Sequence, residues 1–263
     1  MTDSFWQSTL IWLREFWHFL PVLLPRWLGA WLFCLLFLVF VFRALQPRLR
    51  SHIHRFDEQM NIFARRLRYK LLQADAVLEP NTAPAERVLL TWFFRFWTNF
   101  ASAPSLSVIA IFFAVWVFHE KMQTTFQYFF DPTSDFFRNP WLLPALCYFG
   151  SMALSYVTKR VFRRPRPERK HGAFGHRLRD GSFPSGHSLT AFCFWMMCVA
   201  ALALSGASIV NILLFAVVAV TIVLLTGLSR IYMAVHWPSD VAGGYVIGAV
   251  WTIVCFFALR GVL

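Results

Sequence analysis

Apolar stretches long enough to cross a bilayer recur along this chain, and nothing else constrains its fold as strongly. A membrane-spanning helix needs about 20 such residues, and within hydrocarbon every backbone polar group must bond inside its own segment. Runs of this kind lie at about residues 27–43, 98–118, 141–158, 187–205, 208–228 and 238–259. The expected architecture is therefore all-α, a six-span transmembrane helical bundle. Composition agrees: 58% of the 263 residues are hydrophobic and only 14% are charged, too few charges for a soluble domain of this length. The five cysteines (Cys34, Cys147, Cys193, Cys198 and Cys255) all fall inside apolar runs with no metal-ligand spacing, so they read as small packing residues.

Ahead of the first span, residues 4–25 are aromatic and amphipathic (Phe5, Trp6, Leu10, Trp12, Leu13, Phe16, Trp17), and Pro21, Pro25 and Arg26 interrupt the run. This predicts an interfacial helix leading into the membrane. No basic n-region or small-residue cleavage site marks a removable signal peptide. After the span, Phe56, Met60, Phe63, Leu67 and Leu71 recur at steps of three or four with arginines between, which predicts an amphipathic surface helix over 54–72. A loop at 80–84 follows. An aromatic approach from Trp92 to Trp97, containing Arg95, precedes the second span, and a polar loop with Asp131-Pro132 follows that span. The expected division is an N-terminal interfacial and amphipathic region, residues 1–88, and a catalytic membrane domain, residues 89–263.

Charge is unevenly placed. The formal net charge is +12, and the lysines and arginines concentrate in residues 43–87 and 159–179. With spans on either side, such clusters suit lipid headgroups or phosphates rather than nucleic acid. The spans also dictate geometry. Lys159 closes the third and His187 opens the fourth, so they share a membrane face. From His187 the chain crosses twice and returns to that face at Ser229-Arg230.

Three blocks thus meet on one side: Lys159 to Pro167, Pro184-Ser185-Gly186-His187, and Ser229-Arg230 through His236 to Asp240. Hydrolysis of a phosphate ester without metal needs cations on the equatorial oxygens, an in-line nucleophile and an acid for the leaving oxygen. Lys159, Arg166 and Arg230 suit the first role. The second block opens a helix, where unpaired N–H groups and the helix dipole favour an anion. There Gly186 permits close backbone approach and the Ser185 hydroxyl can donate. His236 and Asp240 are four apart, about one helical turn. A carboxylate so placed can accept the Nδ1 proton, leaving Nε2 to attack and form a phospho-histidine. His187 is then the acid, and later the base that activates water. Taken singly, each residue has a bland reading: Lys159 or Arg230 as an interface anchor, Asp240 as a first-turn acid, Pro238 as a helix-start proline. Their conjunction in order on one face favours the site.

The pattern Lys-x6-Arg-Pro, then Pro-Ser-Gly-His, then Ser-Arg-x5-His-x3-Asp resembles the signature of the type 2 phosphatidic acid phosphatase family. The chain matches it at Lys159, Arg166 and Pro167, at Pro184 to His187, and at Ser229, Arg230, His236 and Asp240, with no departure. The resemblance covers about residues 90–260. It implies a six-helix membrane fold and a metal-independent phosphohydrolase with no cofactor. In such an enzyme His236 would be the nucleophile, Asp240 its partner and His187 the general acid. Lys159, Arg166, Ser185, Gly186 and Arg230 would contact the phosphate of a lipid. Bacterial relatives act on undecaprenyl diphosphate, phosphatidylglycerophosphate, phosphatidic acid and lipid A. A phosphotransferase using the same intermediate is the alternative, followed by a catalytically silent lipid-binding protein and a metal-dependent hydrolase. The basic loop 159–179, whose only acid is Glu168, suits a multiply charged headgroup or simple surface anchoring; its His171 and His176 receive no role.

The resemblance also implies a bacterial inner-membrane protein with its site on the periplasmic face. Charge bias points the other way. Residues 43–87 hold nine Lys/Arg, residues 159–179 nine more and Arg230 one, against Arg14, Arg26, Lys121, Arg138 and Arg260 opposite. Taken alone, that excess places the site in the cytoplasm. The family placement is the expectation adopted here, and nothing in the residues specifies an oligomeric state.

Overall fold

The computed structural model describes residues 2–76, 89–102, 104–112, 140–167 and 180–260, and every regular element among them is helical. In chain order these are α1 (Thr2–Ala76), α2 (Leu89–Phe100), α3 (residues 104–112), α4 (Leu142–Phe162), α5 (Gly186–Leu204), α6 (Ile209–Tyr232) and α7 (Pro238–Leu259). Four segments are long and apolar enough to cross a membrane: Leu20–Leu45 within α1, and α5, α6 and α7. The chain is therefore an all-helical, multi-pass membrane protein. Four candidate spans stand where six were expected. The third expected span corresponds to α4, whose buried face carries Tyr148, Ser151, Ser155 and Thr158 and so dilutes its apolar character. The second, at 98–118, is broken: α2 ends at Phe100, a turn follows, and helix resumes at 104; residues 113–118 lie outside the described residues.

The N-terminal region also differs from its expected subdivision. The interfacial helix, first span and amphipathic helix form one continuous α1 that runs through Pro21, Pro25 and Pro47. Each proline removes one N–H from the ladder, but in hydrocarbon an interrupted helix would leave carbonyls with no water to bond. On the expected apolar stripe of residues 54–72, Phe56 and Phe63 are exposed and Met60 is half-buried, and the buried positions among the described side chains are Asp57 and Asn61. The side chains of Leu67 and Leu71, and the loops at 80–84 and 131–132, lie outside the described residues.

The bundle forms around α5, which packs on α4, α6 and α7, while α1 runs along α7 and α2 along α6. Its core joins Leu143, Cys147, Leu154, Leu189, Cys193, Met197, Ile247, Trp251, Cys255 and Leu259 with Cys34 and Leu38 of α1. All five cysteines are buried thiols. Indole N–H groups stitch the helices by donating to carbonyls a helix away: Trp27 to Leu146, Trp31 to Gly150 and Trp251 to Cys147, at 3.2, 3.0 and 2.7 Å. The outer faces are apolar, with Leu28, Leu32, Phe33, Leu36 and Phe40 on α1 and Ile209, Leu213, Leu214 and Val217 on α6 exposed. Such surfaces are stable against lipid tails, not water.

Close approach of α5 to α7 positions the chemistry. A Cβ at Gly244 would lie 2.9 Å from the Ser185 carbonyl oxygen, so only glycine lets the start of α5 rest on α7. In the same contact the Ser185 N–H donates to the Asp240 carbonyl at 2.9 Å.

Candidate phosphate-binding site

The polar groups gather at one end of the bundle, where α4 ends, α5 begins, α6 ends and α7 begins. Lys159 lies in the last turn of α4, and α5 opens at Gly186 with Ser185 as its N-cap. The Ser185 side chain does not cap its own helix; its Oγ receives a hydrogen bond from Ser188 at 3.0 Å. A Cβ at Gly186 would meet Ser155 Oγ at 3.0 Å and Lys159 Nζ at 3.8 Å, so the ammonium lies beside the first turn of α5. Both contribute positive potential to one spot.

Arg230 is buried in the last turn of α6, and its Nε has no hydrogen-bond partner among the described residues. A buried unpaired guanidinium N–H is costly unless an acceptor arrives. His187 of α5 lies within electrostatic reach of Arg230, His236, Lys159 and Arg166. Between α6 and α7 the chain turns through Ala234 at φ 51°, which brings His236 inward to 1% exposure.

His236 is held from two sides. Arg166 Nη1 donates to the Val235 carbonyl at 2.8 Å and stands 3.2 Å from His236 Nε2, which assigns that nitrogen as an acceptor and the proton to Nδ1. On the other side Nδ1 is 3.6 Å from Asp240 Oδ2 and 3.5 Å from Ser182 Oγ. The four-residue spacing predicted direct acceptance by Asp240. The structure instead leaves that pair beyond hydrogen-bond length, with the Ser182 hydroxyl donating to Asp240 Oδ2 at 2.5 Å. Burial, followed by the positive charges of Arg166, Arg230 and Lys159, holds the His236 imidazole well below the usual histidine range, and so neutral at neutral pH.

Asp240 is fully buried at the third position of α7 and reaches back to the Trp237 N–H at 2.9 Å, closing the start of the helix. Its other oxygen accepts from Arg164 at 2.8 Å. Arg164 in turn meets Asp57 of α1 at 2.5 Å and the Ser239 hydroxyl at 2.6 Å. Two fully buried carboxylates therefore flank one guanidinium.

One further carboxylate lies at the mouth. Asp180 bridges Lys159 Nζ at 2.5 Å and Arg166 Nη2 at 2.7 Å, with its side chain 47% exposed. Partial burial works to raise its pKa, but the hydrogen bonds and charges of Lys159 and Arg166 outweigh it and hold the carboxyl down at about 2. Asp180 thus occupies the donors that a phosphate oxygen would use.

The structure brings Lys159, Arg166, Ser185, Gly186, His187, Arg230, His236 and Asp240 to one end of the bundle. It adds five residues that the sequence pattern did not single out: Asp57, Arg164, Asp180, Ser182 and Ser239. Arg164 stood within the first basic block, and Ser182 lies two residues before Pro184. His171 and His176, which received no role, lie with the rest of 168–179 outside the described residues.

Comparison with known proteins agrees with the geometry. Residues 140–261 match the model of the PAP2 superfamily. A phosphatidylglycerophosphatase B from Bacillus subtilis is 32% identical over 132 residues, 48% of this chain and 60% of the relative. A decaprenylphosphoryl-5-phosphoribose phosphatase from Mycobacterium tuberculosis is 34% identical over 117 residues, 43% of this chain and 57% of the relative. The matches thus span less than two thirds of these relatives' lengths. Among solved structures, a transmembrane PAP2-type phosphatidylglycerolphosphate phosphatase from Bacillus subtilis superimposes with a TM-score of 0.57 at 22% identity, over 84% of this chain and 93% of that one. The matching segment, residues 140–261, carries α4 to α7 and all of the polar cluster except Asp57, and it is this part of the chain that is similar to the PAP2 superfamily.

Proposed function

We propose that this protein is an integral membrane phosphohydrolase that releases inorganic phosphate from a lipid phosphate or diphosphate without a metal. The observation that carries the reading is the convergence of Lys159, Arg166 and buried Arg230, whose Nε lacks a partner among the described residues, on a buried neutral imidazole. In this reading Lys159, Arg166, Arg230, Ser185 and the N–H groups at Gly186 and His187 bind the phosphoryl oxygens as Asp180 withdraws. His236 Nε2 attacks phosphorus while the bond to the leaving oxygen breaks, and His187 protonates that oxygen. Asp240, with Ser182, steadies the charged phospho-histidine. Water, deprotonated by His187, then attacks phosphorus and frees His236 as phosphate departs. The named activities of the relatives, one on a phosphatidylglycerophosphate and one on a decaprenyl phosphate derivative, support a lipid substrate.

The test is phosphate release by purified protein in detergent across phosphatidic acid, phosphatidylglycerophosphate and undecaprenyl diphosphate. Release from at least one lipid, unchanged by EDTA, is the expected result. No release from any of them, or activity lost in EDTA and restored by Mg²⁺, overturns the reading. Transfer of label to a second lipid rather than to water would identify a phosphotransferase.

In the same reading six spans cross the bacterial inner membrane, α4 being the third and residues around 98–118 the second, and the site faces the periplasm. The buried state of all five native thiols supports a cysteine-labelling test. Gly175→Cys, in the basic loop, is expected to react with an impermeant maleimide in intact cells. Reaction only after lysis would place the site in the cytoplasm, as the charge bias favours.

A further inference from the structure

Asp57 is the strongest feature that the proposed chemistry leaves unused. It lies on α1, outside the segment that matches the superfamily, and 182 residues from its partner Ser239. It is completely buried, an expensive position for a carboxylate unless it is paired. Each oxygen is engaged. Oδ1 accepts the Ser239 N–H at 2.9 Å, one of the orphan donors at the start of α7. Oδ2 accepts the Ser239 hydroxyl at 2.7 Å and Arg164 Nη2 at 2.5 Å. Arg164 gives its other nitrogen to Asp240. The arrangement runs α1 carboxylate, guanidinium, α7 carboxylate, imidazole.

We propose that Asp57 is a positioning residue for the reaction, one that clamps Arg164 and the N-terminus of α7 and sets the net charge presented to His236 through Asp240. The inference rests on the function proposed above. Asp57, Arg164 and Asp240 carry one net negative charge between them, opposite in sign to the charge that His236 acquires when phosphorylated. Without Asp57, Arg164 would cancel Asp240, and the imidazolium would lose its counter-charge. An arginine bridging two carboxylates holds Asp240 in place without neutralising it only because Asp57 is there. The N-terminal helix thus completes the site as well as anchoring the chain.

The charge count orders a set of variants. Asp57→Asn, nearly isosteric, brings the trio to zero; Arg164→Gln takes it to minus two; the double variant returns it to minus one. The groups that face His236 from the rest of the bundle, Lys159 of α4, Arg166, the Ser182 hydroxyl, His187 of α5, Arg230 of α6 and Asp240 of α7, are the same in all four proteins. Titration of the His236 imidazole, followed by NMR of histidine-labelled protein in micelles and assigned against His236→Gln, is expected to rank Asp57→Asn lowest, wild type and the double variant together, and Arg164→Gln highest, with steps of roughly half a unit to one unit. The kcat for phosphate release is expected to fall roughly 10- to 100-fold in Asp57→Asn with little change in KM, and to recover in part in the double variant. A helix cap alone would make the double variant worse than either single one and leave the titration unmoved; either result overturns the proposal. If Asp57→Asn does not fold, the step from Arg164→Gln to the double variant tests the same sign. Because the NMR ranking needs no turnover, a wild-type protein that releases no phosphate defeats the proposed function and still leaves Asp57 decided.

Discussion

Replacing His236 by alanine is expected to reduce phosphate release at least about 10⁴-fold, equivalent to about 5.4 kcal/mol of transition-state stabilisation. The size follows from its position. If Nε2 forms the bond to phosphorus, its neighbours are poor substitutes: in the proposed mechanism His187 serves the leaving oxygen, and Lys159, Arg166 and Arg230 are cations with no lone pair to offer. The imidazole is also made ready for attack. Burial and three neighbouring cations keep it neutral, so the nucleophile remains unprotonated through neutral pH. As pH falls through this lowered value the ring protonates, so the acid limb of the activity profile should lie below the ordinary histidine range. The ring is 1% exposed, so its loss leaves a void and some instability. Thermal unfolding in detergent separates the two effects: a variant that melts cooperatively yet releases no phosphate is the expected outcome. A folded variant retaining a tenth or more of wild-type activity would remove the phospho-histidine from the mechanism.

Residues within the three blocks were legible because span order forces them together. Helices that cross fully must alternate faces, so Lys159, His187, Arg230 and His236 share an end whatever the packing. Contacts that depend on tertiary approach were not legible. Asp57 sits in a basic, amphipathic stretch where its neighbours suggested a lipid-facing surface, and only the docking of α1 against α7 buries it beside Arg164. Asp180 carries no motif, and its importance appears once the ends of α4 and the following loop meet. The break after Phe100 divides an apolar run whose hydropathy alone suggested one span. Conversely, Pro21 and Pro25 suggested a boundary that the helix ignores, since local breaking signals weigh less where hydrocarbon penalises every unpaired carbonyl. The Nδ1 relation marks how far residue spacing alone reaches. A spacing of four places His236 and Asp240 on one turn, but whether 2.8 or 3.6 Å separates them depends on Ser182, Trp237 and Arg164, which compete for the same oxygens.

That competition makes Asp240→Asn the second large effect, on folding and on activity together. Both carboxylate oxygens are acceptors: Oδ1 for Arg164, and Oδ2 for Ser182 and the Trp237 N–H. Asparagine must turn its NH₂ toward one of these sets. Directed at Oδ2's partners, it faces the Trp237 N–H and uncaps α7; directed at Arg164, it opposes a guanidinium and leaves Asp57 as that group's only carboxylate. Removing one member of a buried, hydrogen-bonded ion pair costs about 3–5 kcal/mol. The melting temperature in detergent should therefore fall clearly, whereas His236→Ala perturbs no ion pair. Activity should fall roughly 10³- to 10⁴-fold in the fraction that remains folded, as expected when an imidazole loses the nearby carboxylate that offsets its charge. Arg164→Gln added to Asp240→Asn should lower stability further, because Asp57 is then buried without its guanidinium, and should not restore activity, because the carboxylate nearest Nδ1 stays absent. A double variant that regained turnover would mean that His236 reacts without a carboxylate partner.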